Sequence, residues 1–361
     1  MVSGGTRNGK ESMQSMKGWV TYGFNDMRLD EVPYPQIRPG WAIVKTKVVQ
    51  PSVTEVQLFY GERSNSYDKV KKRLSQGPQE LFGHEFCAEI VEVDSENAFG
   101  LSVSDRVGAT HTELGTIGRD FPGCFSEYAA VPLDALAKIP EEISDWEVAA
   151  LQPLTSCVHN IQMLGITLGD TVLVLGQGVI GLNSAQAAKA AGADTVIGVD
   201  RRQDILDLAA KLGTDITIDA STQDVVEAVM DLTHGEGIPF VIEAASGSPN
   251  MGLSGGSTVS DAVACVAKGG KILSIPHFHQ PVTLDFNVLR AKRVTYMFPP
   301  ELAHPKEMVL AARLVAQKRI RIDPMITHKL VGIEKMPQAL EITAKKSKYG
   351  ALNPAQVRFA E

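Results

Sequence analysis

The chain has 361 residues, 44% of them hydrophobic and 21% charged, the balance of a globular protein with sizeable cores and, at this length, about two domains. Its net charge of −7 argues against nucleic acid as a partner, because phosphate backbones recruit basic surfaces. No run of about 18 apolar residues suggests a membrane span, and Cys87, Cys124, Cys157 and Cys265 are too scattered for a disulfide scaffold or a paired-cysteine structural zinc.

In chain order, residues 1–15 are polar and lack an apolar signal core, so they read as a disordered tail, with folding from Met16 in a reduced, cytoplasmic setting. Residues 17 to about 135 read as short strands, at 17–22, 41–49 and 86–93, punctuated by Pro33, Pro35, Pro39, Gly40 and Gly83; that texture predicts an antiparallel, barrel-like region. From about 156 to 297, strands alternate with helices, which predicts an α/β unit with a parallel, doubly wound sheet. Strands are expected at 171–175, 195–200, 240–243 and 269–275, and helices at 182–191, 203–212 and 221–233. A helix over 305–317 and a terminal strand follow. The basic clusters at 69–73 and 345–348 read as solvated faces.

The most informative stretch is the strand that runs into Gly176-Gln177-Gly178-Val179-Ile180-Gly181. The first glycine permits a tight turn, the second lets backbone approach a pyrophosphate, and the third lets the following helix pack close to the sheet. Asp200 ends the next strand, about 20 positions beyond Gly181, where a carboxylate reads ribose hydroxyls and repels a 2′-phosphate. NAD is therefore the expected cofactor, held by Gly176, Gly178, Val179, Ile180, Gly181, Asp200 and Arg201. Arg201 and Arg202 leave room for NADP as the alternative.

The motifs Gly83-His84-Glu85, Asp105-Arg106-Val107, Gly123-Cys124-Phe125-Ser126-Glu127-Tyr128, Leu151-Gln152-Pro153-Leu154, the glycine cradle and Ile326-Thr327-His328-Lys329 together resemble the medium-chain dehydrogenase/reductase superfamily of alcohol and polyol dehydrogenases. The resemblance implies a chaperonin-10-like β-barrel catalytic domain, residues 16–155 and 298–361, interrupted by a Rossmann doubly wound domain, residues 156–297. It also implies a homodimer through the edge strand at 293–298, with a tetramer as the larger alternative.

The chain departs from that pattern at the metal. Where zinc relatives carry Cys-Gly-Thr-Asp-x-His, this sequence has Ser52-Val53-Thr54-Glu55-Val56-Gln57, and Gln152 stands where polyol dehydrogenases have a glutamate. Neutral oxygens are poor zinc ligands, so no tightly held catalytic zinc is expected, and any metal present would rest on His84 and Glu85. The four-cysteine lobe of a structural zinc is absent, and His111 and Glu113 in its place either face the active-site cleft or, as the favoured reading, decorate a loop. The resemblance then makes Thr54 the proton relay and His84, tuned by Glu85 or Glu55, the base, with Ser52 and Gln152 as further polar groups facing a small-molecule alcohol or carbonyl substrate. The substrate pocket is expected between 57–81 and 278–298. An NAD-dependent alcohol or polyol dehydrogenase is the leading reading; a zinc-free C=C or quinone reductase and a non-catalytic dinucleotide-binding protein are the alternatives.

Overall fold

A computed structural model describes residues 15–64, 66–246, 256–278, 281–299 and 303–359; residues 1–14 of the expected tail lie outside these. Strands β1 (Ser15–Gly23) and β2 (Asp26–Pro33) form an antiparallel hairpin, turned at Asn25 with φ 63°. Trp19 on this hairpin donates its indole N–H to the Ile333 carbonyl at 2.9 Å, tying the two ends of the chain together.

The barrel region is built on β3 (Trp41–Gln50), β4 (Glu85–Val93), β5 (Arg106–Ala109), β6 (Tyr128–Pro132) and β7 (Leu136–Lys138). Helices α1 (Val53–Phe59) and α2 (Tyr67–Leu74) lie between β3 and β4, and α3 (Asp145–Ala149) and α4 (Leu151–Leu164) leave the sheet. The nucleotide-binding region follows as β8 (Thr171–Leu175), α5 (Val179–Ala191), β9 (Thr195–Asp200), α6 (Gln203–Lys211), β10 (Ile216–Asp219), α7 (Val225–Leu232), β11 (Ile238–Glu243), α8 (Ser257–Cys265), β12 (Val266–Ser274), α9 (Phe286–Lys292) and β13 (Thr295–Met297). The chain ends with α10 (Pro305–Ala316), β14 (Lys329–Val331), α11 (Met336–Ala344), α12 (Lys346–Tyr349) and β15 (Gln356–Arg358).

The second sheet is parallel throughout, in the order β10-β9-β8-β11-β12-β13. This is the doubly wound order, whose direction reverses between β8 and β11 and opens a crevice at their carboxyl ends. On β8, Val172 and Val174 face one apolar core and Leu173 and Leu175 the other, so helices on both faces are a physical requirement. The first of those cores also takes in Val48 and Cys87 from the barrel sheet and apolar residues of α4, α5 and α10. Alternation along these helices thus joins the two sheets. The barrel sheet runs β14-β15-β3-β4-β5-β7, with β6 also paired to β3, and the C-terminal β15 closes against β3.

Three expected boundaries move. Helix α7 begins at Val225 rather than 221, because the Asp219 carboxylate accepts from the backbone N–H and hydroxyl of Ser221 and holds a turn there, leaving Asp224 as the N-cap that accepts from the Glu227 N–H. β12 starts at Val266 rather than 269, and α5 starts at Val179, so the cradle's third glycine lies inside the helix. No helix among the described residues is long and apolar enough to cross a membrane.

The chain at Gly118 and at Gly123–Cys124 crosses the Phe82–Gly83 segment so closely that only glycine fits. A Cβ on Gly123 would lie 1.8 Å from the Phe82 carbonyl oxygen, and one on Gly83, at φ +88°, 2.6 Å from the Cys124 nitrogen. Gly123→Ala is therefore expected to destabilise the fold by about 1–3 kcal/mol, the usual cost of overpacking against backbone. Denaturant unfolding checks it, and an unchanged midpoint would refute the crossing.

Candidate functional site

The dinucleotide cradle forms where β8 turns into α5. Gly176 adopts φ +89° and packs on Ala245 after β11; a Cβ on Gly181 would sit 1.8 Å from the Gly176 carbonyl oxygen. Gly178, by contrast, has nothing within 4 Å of its Cβ position and stands as N-cap of α5. The turn is closed tightly where the helix meets the sheet and left open where a phosphate would approach the helix N-terminus, so these residues fit a dinucleotide. Val179 and Ile180 form the first turn of α5, and the Ile180 carbonyl accepts from the Cys157 thiol of α4 at 3.5 Å.

Asp200 ends β9 with its carboxylate organised by the chain: Oδ2 accepts from the Gln177 N–H at 2.8 Å and Oδ1 from the Arg201 and Arg202 N–H groups at 2.8 and 3.1 Å. The Arg202 guanidinium turns away to Asp204, at 2.6 Å.

The catalytic candidates gather around one buried carboxylate. Ser52 caps α1: its hydroxyl accepts from the Glu55 N–H at 3.1 Å, and Glu55 Oε2 accepts from the Ser52 N–H at 3.0 Å, a reciprocal capping box. The other oxygen, Oε1, accepts from the Gly83 N–H at 2.7 Å and meets His84 Nδ1 at 2.6 Å. Glu55 is fully buried. Burial alone raises its pKa, but the His84 imidazole, Arg119 and these hydrogen bonds prevail and hold it below the ordinary value, so it is ionised at neutral pH. A carboxylate can only accept, which puts the proton of a neutral His84 on Nδ1 and leaves Nε2 with its lone pair.

Glu85 lies 3.9 Å from that Nε2 through its Oε1. Its other oxygen accepts from Gln50 at 2.5 Å, and Gln50 is oriented by Asn353 and Gln356, both donating to its Oε1 at 2.7 Å. Burial pushes the Glu85 carboxyl up to about 7.

Other expected residues fall differently. Thr54 sits in the first turn of α1, partly exposed. Ser52 is committed to the cap rather than directed at a ligand. Gln152, in the first turn of α4, reaches Ser156 at 3.4 Å, and no hydrogen bond joins it to the His84 group. His111 is not loop decoration: its ring centroid lies 6.5 Å from that of His84, and burial, with the charges of His84 and Arg119, lowers its pKa to about 4. Glu113 is exposed, as expected.

Two cations were missed in the sequence. Arg119, from the same connection, is 8% exposed and acts on Glu55, Glu85 and His111. Lys346 belongs to the cluster taken for a solvated face, yet its ammonium is enclosed, its pKa is lowered to about 8 by burial, and it senses both Glu85 and Arg202. Its ammonium donates to the Leu352 carbonyl at 3.3 Å.

Among the described residues no group of three or more His, Cys, Asp or Glu side chains is placed to hold a metal. The donors at hand, His84 Nε2 and a carboxyl with a pKa near 7, fit tight zinc binding poorly, since zinc is held by three or four deprotonated ligands.

The shifted groups set opposite pH slopes. Below pH 6.5 the unfolded chain protonates His111 and the folded one resists, so stability is lost as pH falls toward about 4. Above pH 4.5 the unfolded chain ionises Glu85 while the folded one keeps the proton, so stability is lost as pH rises toward about 7. The two windows overlap between pH 4.5 and 6.5, where the slopes oppose. His111→Gln is thus expected to leave stability falling as pH rises through that window and Glu85→Gln to leave it falling as pH drops, read by denaturant unfolding at several pH values; exchanged effects would refute the assignment.

Comparison with known proteins agrees with this architecture. A family model described as an alcohol dehydrogenase GroES-like domain matches residues 38–141, and one described as a zinc-binding dehydrogenase matches residues 179–298. The chain is 31% identical to L-threonine 3-dehydrogenase of Bacillus subtilis, over 87% of this chain and 91% of that protein. It is 28% identical to erythritol/L-threitol dehydrogenase of Mycolicibacterium smegmatis, over 95% and 98%. A dehydrogenase of Sinorhizobium meliloti solved with NADP superposes with a TM-score of 0.80 at 25% identity, covering 95% of this chain and 99% of that one. The chain belongs to the medium-chain dehydrogenase/reductase superfamily, as one of its zinc-type alcohol dehydrogenase-like oxidoreductases.

Proposed function

We propose that the protein is an NAD-preferring dehydrogenase that interconverts a polar secondary alcohol, such as a polyol, and its ketone without a catalytic zinc, the Glu55–His84 pair providing the base. The observation that carries this reading is the 2.6 Å contact from Glu55 to His84 Nδ1, which leaves Nε2 as an acceptor. The relatives named for threonine and for erythritol or threitol support an alcohol substrate bearing further polar groups.

When bound, the nicotinamide supplies the hydride acceptor for alcohol oxidation and the donor for the reverse. His84 Nε2 takes the hydroxyl proton, directly or through the Thr54 hydroxyl, and the buried Glu55 carboxylate stabilises the imidazolium so formed. In reverse, the same imidazolium returns its proton to the carbonyl oxygen. Glu85, its pKa near 7, stands on the Nε2 side to exchange that proton onward.

The domains divide as 16–155 with 298–361 and 156–297. A homodimer forms through the β13 edge, where Phe278, Val282, Leu284, Tyr296 and Phe298 line an apolar groove of about 270 Å³; a face so apolar suits a partner surface better than a polar substrate. The four cysteines are free and buried, in keeping with a reducing, cytoplasmic environment.

Cofactor choice is tested by titrating NADH and NADPH. The Sinorhizobium dehydrogenase carries NADP, but here the Asp200 carboxylate opposes a 2′-phosphate. NADH is expected to bind roughly 10- to 100-fold more tightly, with Asp200→Ala removing most of the difference; a native preference for NADPH would refute it.

The chemistry is tested with NAD and a panel of polyols after dialysis against chelator. Turnover is expected to survive dialysis, and His84→Ala and Thr54→Val are each expected to lower kcat roughly 10²–10⁴-fold with NAD affinity nearly unchanged. Activity lost on chelation and restored by zinc would overturn the metal-free mechanism.

A further inference from the structure

Arg119 occupies a position that neither its own element nor its neighbours explain. Its backbone is pinned from outside by α2: the Arg119 carbonyl accepts from the Arg73 guanidinium at 2.8 Å, and Asp120 pairs with Lys69 at 2.8 Å. The side chain, held inward by that clamp, comes close enough to influence Glu55, Glu85 and His111. Yet among the described residues it forms no ion pair. Its one side-chain hydrogen bond is a 3.4 Å contact from Nη1 to the Ser66 hydroxyl, and its buried Nε has no partner. Ser64, two positions before Ser66, likewise keeps a buried hydroxyl without a partner.

A buried guanidinium left without a counter-charge costs several kcal/mol. Glu55, Glu85 and Asp120 offset part of that cost, but burial prevails and lowers the Arg119 pKa, and among the described residues none of them forms an ion pair with it. The partnerless Nε and the long Nη1 contact leave the guanidinium able to take an acceptor from outside the chain. A planar fork of donors with the Ser66 hydroxyl beside it matches two oxygens of an anion far better than a single neutral hydroxyl. In a chain of net charge −7, the flanking α2 also sets Lys69, Lys71, Lys72 and Arg73 against Asp68 alone, a local positive field that draws anions.

We propose that Arg119, with the Ser64 and Ser66 hydroxyls, is the subsite for an anionic group on the alcohol substrate, a carboxylate or a phosphate monoester, with the reacting hydroxyl at His84. The inference rests on the dehydrogenase reading, and it narrows the substrate to an anionic hydroxy compound.

The test uses the full chain with saturating NADH and calorimetric titration of three matched probes: glycerol, glycerate and glycerol 3-phosphate. At least one anion is expected to bind about tenfold or more tightly than glycerol, the scale of a charge-assisted contact, and the favoured anion identifies carboxylate or phosphate. Arg119→Gln should abolish that advantage, Arg119→Lys should restore part of it, and Ser64→Ala, which leaves the buried charge untouched, should weaken it severalfold; NADH affinity should hold in all three. Equal binding of glycerol and both anions, or an anion preference that survives Arg119→Gln, overturns the subsite. Turnover separates the two claims: Arg119-dependent anion binding with no oxidation of any alcohol would sink the dehydrogenase reading alone, whereas oxidation of neutral polyols indifferent to Arg119 would sink the subsite alone.

Discussion

The site depends on one buried carboxylate. Glu55 closes the first turn of α1 through the Ser52 N–H, fixes the Gly83 N–H on the segment that leads into β4, and sets the His84 ring. Three pieces of chain that are distant in sequence are thereby referred to one group, and each contact also lowers the cost of burying its charge. Shortening this side chain would leave two backbone donors and an imidazole without their acceptor at once. The same interaction that shapes the loop therefore leaves His84 Nε2 as an acceptor.

The parallel sheet was legible because its signals are local and strict. Glycine spacing, strand period and the acid at the end of β9 each follow from backbone geometry, and the structure places Gly176, Gly178 and Asp200 as that geometry requires. Ser52 and Thr54 were legible as positions but not as roles: a serine before an apolar run with glutamate three residues on is also a helix-start signal, and the cap takes Ser52. Arg119 and Lys346 were not legible, and His111 only as one of two readings. Their burial arises from pairings between segments far apart in the chain, such as the clamp of α2 on the Thr110–Pro122 connection and the path of the chain from α11 to β15. A basic cluster carries no local mark that one of its four residues turns inward.

Across the cleft the two regions contribute different kinds of order. The cradle is rigid because its glycines are packed to contact on Ala245 and on the backbone of Gly176 itself, and because Asp200 is held by three N–H groups. The barrel side is ordered by charges instead. The Lys346 pKa, lowered to about 8 chiefly by burial, is raised by Glu85 and lowered by Arg202.

The replacement of metal ligands has a consequence for how charge is handled during hydride transfer. A zinc ion would stabilise an alkoxide directly by Lewis acidity. Here the permanent positive charge near His84 is carried by Arg119, whose guanidinium stays protonated at any working pH but does not polarise an oxygen as a metal does. On the proposed zinc-free reading the proton would have to leave the hydroxyl more completely as hydride departs, a task for which His84 has a buried, ionised partner carboxylate. The short Glu55–His84 contact places a counter-charge for an imidazolium there before any substrate arrives.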